Sequence, residues 1–234
     1  MTSFLLKIIG IITMLFDHVG DSIVGKFSFF NLIGRISFPI FAFQTVEGYI
    51  HTKNLKKHIL KMFIFACISQ IPFSLFLSTF TQGNYLNIFF TLTLGLIALV
   101  LYDKCKNKFL SFLGVLLISI LGYFIKVDYS YFGILLIFLF YFFNQEKTNI
   151  LFIKRHSKLL TIISTFLLSF IYYLPNIIKF PSLWQVYSLC TLFTCFSLFF
   201  ILLYNKKEGP KLKYFFYIFY PLHLLILYFL HSIL

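Results

Sequence analysis

Residues 13–25 read "TMLFDHVGDSIVG" and set two aspartates and a histidine inside an otherwise apolar segment. The residues before them, from Phe4 to Phe16, are mostly Ile, Leu, Met and Phe. Extended to Val24, the run is long enough to cross a hydrocarbon core about 30 Å thick as a helix. An ionisable side chain inside such a helix costs about 2.5–3.5 kcal/mol on insertion scales unless it faces a partner or a wet cavity. Asp17, His18 and Asp21 therefore require partners elsewhere in the chain, and the fold must supply them.

Of the 234 residues, 60% are hydrophobic and only 12% are charged, and the mean hydropathy is strongly positive. Such a chain dissolves in a bilayer rather than in water. It reads as all-α, a polytopic membrane helical bundle in one domain over residues 1–234. Apolar runs bounded by polar clusters give nine candidate spans, roughly 4–24, 32–50, 60–80, 86–102, 109–125, 129–143, 159–178, 183–204 and 214–234. The alternating ten-residue segments of a membrane β-barrel do not occur. The net charge of +13 sits in short clusters between apolar runs, a topology pattern that excludes a nucleic-acid partner. Cys67, Cys105, Cys190 and Cys195 form no CxxC pair, so neither a metal site nor a disulfide framework is expected. The first segment lacks a small-residue cleavage site and reads as an uncleaved span.

The basic residues also orient the bundle. The loops "HTKNLKKHILK", "DKCKNK", "NQEKTNILFIKRHSK" and "NKKEGPKLK" hold 15 Lys and Arg, whereas the alternate loops hold three, Lys26, Lys126 and Lys179. The positive-inside rule then puts the N-terminus in the cytoplasm and the C-terminus outside. At 1.5 Å per residue, His18 lies roughly 20 Å into the core, in its outer third. Arg35, in "LIGRISFPI" on the returning second span, comes to a similar height. The acids and the histidine are thus expected to meet an arginine near the outer face.

Further polar groups suggest a seam through the bilayer. Glu47 and His51 are i and i+4 at the inner end of the second span. Gln70 and Pro72 fall near mid-depth in the third span, and Tyr220, Pro221 and His223 near mid-depth in the ninth. Pro39, Pro72 and Pro221 each loosen a helix, which is tolerated where the helix lines a cavity.

Each group has a structural and a functional reading. Asp17, Asp21 and Arg35 could form only a buried ion cluster; alternatively His18 is a general base oriented by a carboxylate, Asp17. Arg35 either snorkels to the interface or holds a phosphate or carboxylate. The loop carrying Lys53, Lys56 and Lys57 is either a topology signal or a receiver for an anionic, nucleotide-like ligand. No Gly-rich phosphate loop, HExxH or GxSxG is present, which removes the usual support for kinase, zinc protease and serine hydrolase readings.

The segments "LLKIIGIITMLFDHVGD", "LIGRISFPIFAFQTVEGYIHTKNLKKHILKMFIFACISQIPF", "NIFFTLTLGLIAL" and "KYFFYIFYPLHLLILYFL" together resemble the TraX family of integral membrane proteins. That family takes its name from a conjugation system whose pilin is acetylated at its N-terminus. The resemblance implies a multi-pass protein of the bacterial cytoplasmic membrane that moves an acetyl group from acetyl-CoA to an acceptor. It also implies kinship with membrane acyltransferases, in which a first-span histidine and nearby arginines serve the reaction. Carried onto this chain, His18 becomes the candidate base, with Asp17 beside it, and Arg35 the candidate ligand for donor or acceptor. Tyr220, Pro221 and His223 match the family's terminal motif. The acceptor expected is an amine or hydroxyl of a pilin-like protein, a glycan or a lipid. The alternative is a proton-coupled transporter or flippase that uses the same charges as a relay.

The charge asymmetry makes a direct prediction. Reporter tags near residues 55, 105, 150 and 208 will report cytoplasm, and a tag after Leu234 will report the exterior. A cytoplasmic C-terminus would remove one crossing, with the short 129–143 segment the first to be struck out.

Overall fold

The computed structural model describes residues 1–144, 150–212 and 214–234; Lys147 and Lys213 of the charge count lie outside the described residues. The first helix, α1 (Ser3–Val19), runs on through a π-helical turn, Gly20–Val24. Then come α2 (Phe29–Gly34), α3 (Ser37–His51), α4 (Leu55–Leu77), α5 (Ile88–Lys104), α6 (Lys108–Phe124) and α7 (Ser130–Phe142). The chain closes with α8 (Leu151–Lys179), a short 3-10 turn at Pro181–Leu183, α9 (Trp184–Leu202) and α10 (Phe215–Ile233). With α2 and α3 taken as one broken rod, the helices fall on the apolar runs of the sequence. Their ends differ by a few residues, and α8 begins about two turns earlier than its apolar run.

Six of these rods are long and apolar enough to cross a membrane: Ser3–Val24, Phe29–His51, Leu55–Leu77, Leu151–Lys179, Pro181–Leu202 and Phe215–Ile233. The other three are shorter, α5 and α6 at 17 residues and α7 at 13. At 1.5 Å per residue, α7 is only about 20 Å long.

The core lies along α3, α5 and α7. Phe38, Ile40, Ala42 and Val46 of α3 are buried against Leu96 and Leu99 of α5 and Ile134, Leu136 and Ile137 of α7. Towards the outside, the usual amphipathic pattern is inverted. In α8 the buried residues are Ser157, Thr165, Ser169 and Tyr173, spaced at four or eight residues, while Leu159, Ile163, Phe166, Leu167 and Ile171 are exposed. Small residues are also buried on α9, Cys190, Thr191, Thr194 and Ser197, beside Leu198 and Ile201. Lipid tails are as apolar as leucine, so small residues that let helices approach closely gather at the contact and bulky apolar ones face outwards.

The break between α2 and α3 follows from Pro39. Its nitrogen cannot donate to the carbonyl of Arg35, and its ring crowds that carbonyl, so the helix opens at Arg35–Ile36. Pro72 and Pro221 stay inside continuous helices, α4 and α10.

Two connections at the end of the bundle that holds this break are laced together. The amide of Leu86 donates to Lys126 O at 3.0 Å, and that of Asp128 to Leu86 O at 2.8 Å. Gln70 anchors the same region from α4. Its Oε1 accepts from the Asn87 backbone at 3.0 Å and from Asn87 Nδ2 at 2.9 Å, while its Nε2 donates to Tyr85 O at 2.8 Å. Replacing Gln70 by Leu strips partners from several groups at once. The expected loss is about 1–3 kcal/mol, read as a lower unfolding midpoint in detergent with faster proteolysis between residues 78 and 87.

Candidate active site

The Arg35 guanidinium, set at the Pro39 break, donates from Nη2 to Asp17 Oδ1 at 2.6 Å. Its Nε donates to the Asn31 carbonyl at 3.1 Å. The sequence placed these charges at one height; the structure joins them across the first two rods. Backbone proximity makes this possible. A Cβ on Gly34 would stand 2.3 Å from the Asp17 side chain, and one on Gly20 would stand 2.7 Å from the Asn31 amide. Both contacts are too close for any residue larger than glycine without displacement.

Asn31, which the sequence reading passed over, links the two acids. Its Nδ2 lies 3.3 Å from Asp17 Oδ1, 3.2 Å from Asp17 O and 2.7 Å from Asp21 Oδ1. Asp21 therefore takes its neutral amide donor from Asn31, while Asp17 holds the guanidinium. The available signal was the spacing "NLIGR", with Asn31 four residues before Arg35 on the same helical face.

His18 has a different partner from the one expected. Asp17 does not orient it, because consecutive helical residues point roughly 100° apart and the Asp17 carboxylate is committed to Arg35 and Asn31. Instead His18 Nδ1 lies 2.8 Å from His223 Nε2, and His223 Nδ1 lies 2.8 Å from Phe219 O. The first and last helices thus meet ring to ring. They meet again at His231, in the last turn of α10, whose Nδ1 lies 2.6 Å from Ser22 O in the π-helical turn.

His18, Asp17, Asp21 and Arg35 line one cavity of about 370 Å³, walled by Phe73 and Phe76 of α4 and by Tyr172 and Tyr220. Asp128 and Tyr129 complete it from the connection between α6 and α7. Tyr129 holds a left-handed backbone, φ 58°, and its ring stacks on Phe38 at 4.0 Å. That conformation costs about 1–3 kcal/mol in a non-glycine residue and persists only where the surroundings enforce it. Burial pushes the Asp128 carboxyl up to about 7, against the pull of the Arg35 charge. A lone acid in a connecting loop gave the sequence reading no reason to single out Asp128.

The remaining residues of the expected seam stand elsewhere. Glu47 and His51 face each other at 3.5 Å at the C-terminal end of α3, with His51 exposed. Lys53, Lys56 and Lys57 are exposed at the start of α4. Lys56 lies 17 residues before Phe73, so about 26 Å separates it from the cavity along the helix axis. Gln70 is taken up by the Asn87 anchor and is not part of the His18 cavity wall. Tyr220 and His223 are the members of the terminal motif that reach the site.

A model of the family described as TraX protein matches residues 3–231. The chain belongs to the TraX family. It is a multi-pass membrane protein, as its family and the six long apolar helices among the described residues indicate. Among curated proteins, it is 23% identical over 248 residues to the "Probable fimbrial assembly protein FimC, serogroup H1" of Dichelobacter nodosus, covering 97% of this chain and 94% of that one. It is 28% identical over 151 residues to the "Uncharacterized protein RP591" of Rickettsia prowazekii (strain Madrid E), covering 62% and 57%. No solved structure matches.

A buried pair of this kind predicts non-additive mutants. Asp17→Asn or Arg35→Gln alone leaves an uncompensated charge and should cost about 3–5 kcal/mol, whereas the double variant should recover part of that loss. Thermal unfolding in detergent measures it. Additive losses would mean that the two side chains do not support each other.

Proposed function

We propose that this TraX-family protein is a membrane-embedded acetyltransferase that takes an acetyl group from cytoplasmic acetyl-CoA and delivers it to an amine or hydroxyl at the outer face. The observation that carries the reading is the shared cavity. His18, a titratable nucleophile-activating group, and Arg35, a cation held in place by Asp17, line the same 370 Å³ space within the membrane part of the chain. The basic asymmetry of the loops supports nine crossings with the N-terminus in the cytoplasm, and that topology puts the cavity towards the outer side. The fimbrial-assembly description of the Dichelobacter relative supports a pilin-like acceptor.

Acetyl-CoA supplies an activated acyl carbon. The chain supplies the proton transfers and the charge. His18 takes the proton from the acceptor nitrogen or oxygen as that atom bonds to the thioester carbonyl carbon. It returns the proton to the departing thiolate as the C–S bond breaks, so coenzyme A leaves as a thiol. Arg35, braced by Asp17, stabilises the negative charge that develops on the carbonyl oxygen. Lys53, Lys56 and Lys57 offer positive charge to the nucleotide end at the cytoplasmic surface, a role that Lys56→Gln with Lys57→Gln would reveal as a raised KM for the donor.

Membranes carrying His18→Ala or His18→Gln are expected to lose acetyl transfer by roughly 10²–10⁴-fold, with the protein still inserted and still binding coenzyme A. Glutamine keeps a hydrogen bond but cannot take a proton. Full activity in His18→Gln would overturn the assignment. Uptake driven by a pH gradient, without acetyl transfer, would instead favour the transporter alternative.

A further inference from the structure

We infer that His223 is a positioning residue that holds the proton of His18 on Nδ1 and leaves its Nε2 bare as the base. The inference rests on the proposed role of His18 and names the group that sets its state.

The geometry fixes the direction of every hydrogen bond in the chain of contacts. Phe219 O, a backbone carbonyl, can only accept, so His223 Nδ1 at 2.8 Å must donate. A neutral imidazole carries one N–H, which leaves His223 Nε2 as an acceptor. His18 Nδ1, 2.8 Å away, must then donate to it. The reverse order would set a bare His223 Nδ1 against the carbonyl oxygen, two lone pairs at hydrogen-bond distance. The ring planes agree with this reading. They lie within 6° of each other with centroids 5.1 Å apart, so at a nitrogen separation of 2.8 Å the rings meet edge to edge. In that arrangement an in-plane N–H points at an in-plane lone pair.

What remains is His18 Nε2. No hydrogen-bond partner reaches it among the described residues, it is not sealed into the packing, and its side chain lines the cavity. An imidazole without a partner prefers its proton on Nε2, which would turn the basic nitrogen away from the acceptor. Which nitrogen is free is set by the bond the other one makes. His223 supplies that bond, and Phe219 O sets His223 in turn. The carbonyl lies four residues earlier on α10, so the His223 ring folds back along its own helix, where Phe219 stacks on it at 4.9 Å. A carboxylate orients the histidine in hydrolytic triads; here a second imidazole and a backbone carbonyl take that place.

The test reads the proton directly and then the rate. In protein labelled with ¹⁵N-histidine, in detergent near neutral pH, His18 is expected to carry its proton on Nδ1 and His223 likewise. In His223→Leu the His18 proton is expected to move to Nε2. A wild-type His18 protonated on Nε2 would overturn the inference whatever the activity, and His18→Gln decides separately whether His18 is the base. For the rate, His223→Leu is expected to lower kcat roughly 10-fold or more, though less than His18→Ala, with KM for acetyl-CoA unchanged. His223→Gln, whose Oε1 can accept from His18 Nδ1, is expected to recover most of that loss. Equal rates in His223→Leu and His223→Gln, high or low, would contradict a role through hydrogen-bond acceptance.

Discussion

The ion pair between Arg35 and Asp17 is the contact on which the rest of the site depends. A guanidinium and a carboxylate within the membrane part of the chain persist only if each is held by the other and by further polar groups. That requirement accounts for several local features together. Gly34 and Gly20 let the backbones approach, Asn31 satisfies both aspartates, and Pro39 opens the helix where Arg35 must turn inwards. Once the pair is closed, α1 is docked on α2 and α3, and His18 is delivered to the cavity wall facing α10.

The cavity itself is made where regular structure gives way. The π-helical turn carries Asp21, the α2–α3 break carries Arg35, and the laced connections carry Asp128 and Tyr129. Lipid cannot satisfy free backbone groups, so such irregular backbone survives in a membrane protein only where protein or water covers it. Here the covering groups are specific: His231 meets Ser22 O, Gln70 and Asn87 hold the α4–α5 connection, and Thr91 Oγ1 donates to Asp128 O. The cavity is therefore framed by fixed backbone, with Tyr172 and Tyr220 in its wall.

Much of this was legible in the sequence, for physical reasons. Apolar runs broken by basic clusters locate helices because hydrocarbon admits few other structures, and the described rods follow those runs. Asp17, His18 and Arg35 stood out because charge in an apolar run is costly. Helix depth, counted at 1.5 Å per residue, brought them to one level. Lateral placement was not legible. Depth cannot say which helices are neighbours, so the pairing of His18 with His223 in place of Asp17 waited on the packing of α1 against α10. Gln70 and Glu47 sit at plausible heights but turn towards a loop anchor and the end of α3. Asp128 is the converse case, since a loop aspartate carries no cost until the fold buries it.

The central claim is that donor and acceptor meet in this cavity from opposite faces of the membrane. The most direct measurement uses sealed vesicles containing the protein, in inverted and right-side-out orientation, with labelled acetyl-CoA added outside and an amine or hydroxyl acceptor trapped in the lumen. The account predicts labelled acceptor in inverted vesicles, where the donor meets the cytoplasmic surface, and almost none in right-side-out ones. Labelling confined to the right-side-out preparation, or absent from both, would contradict it.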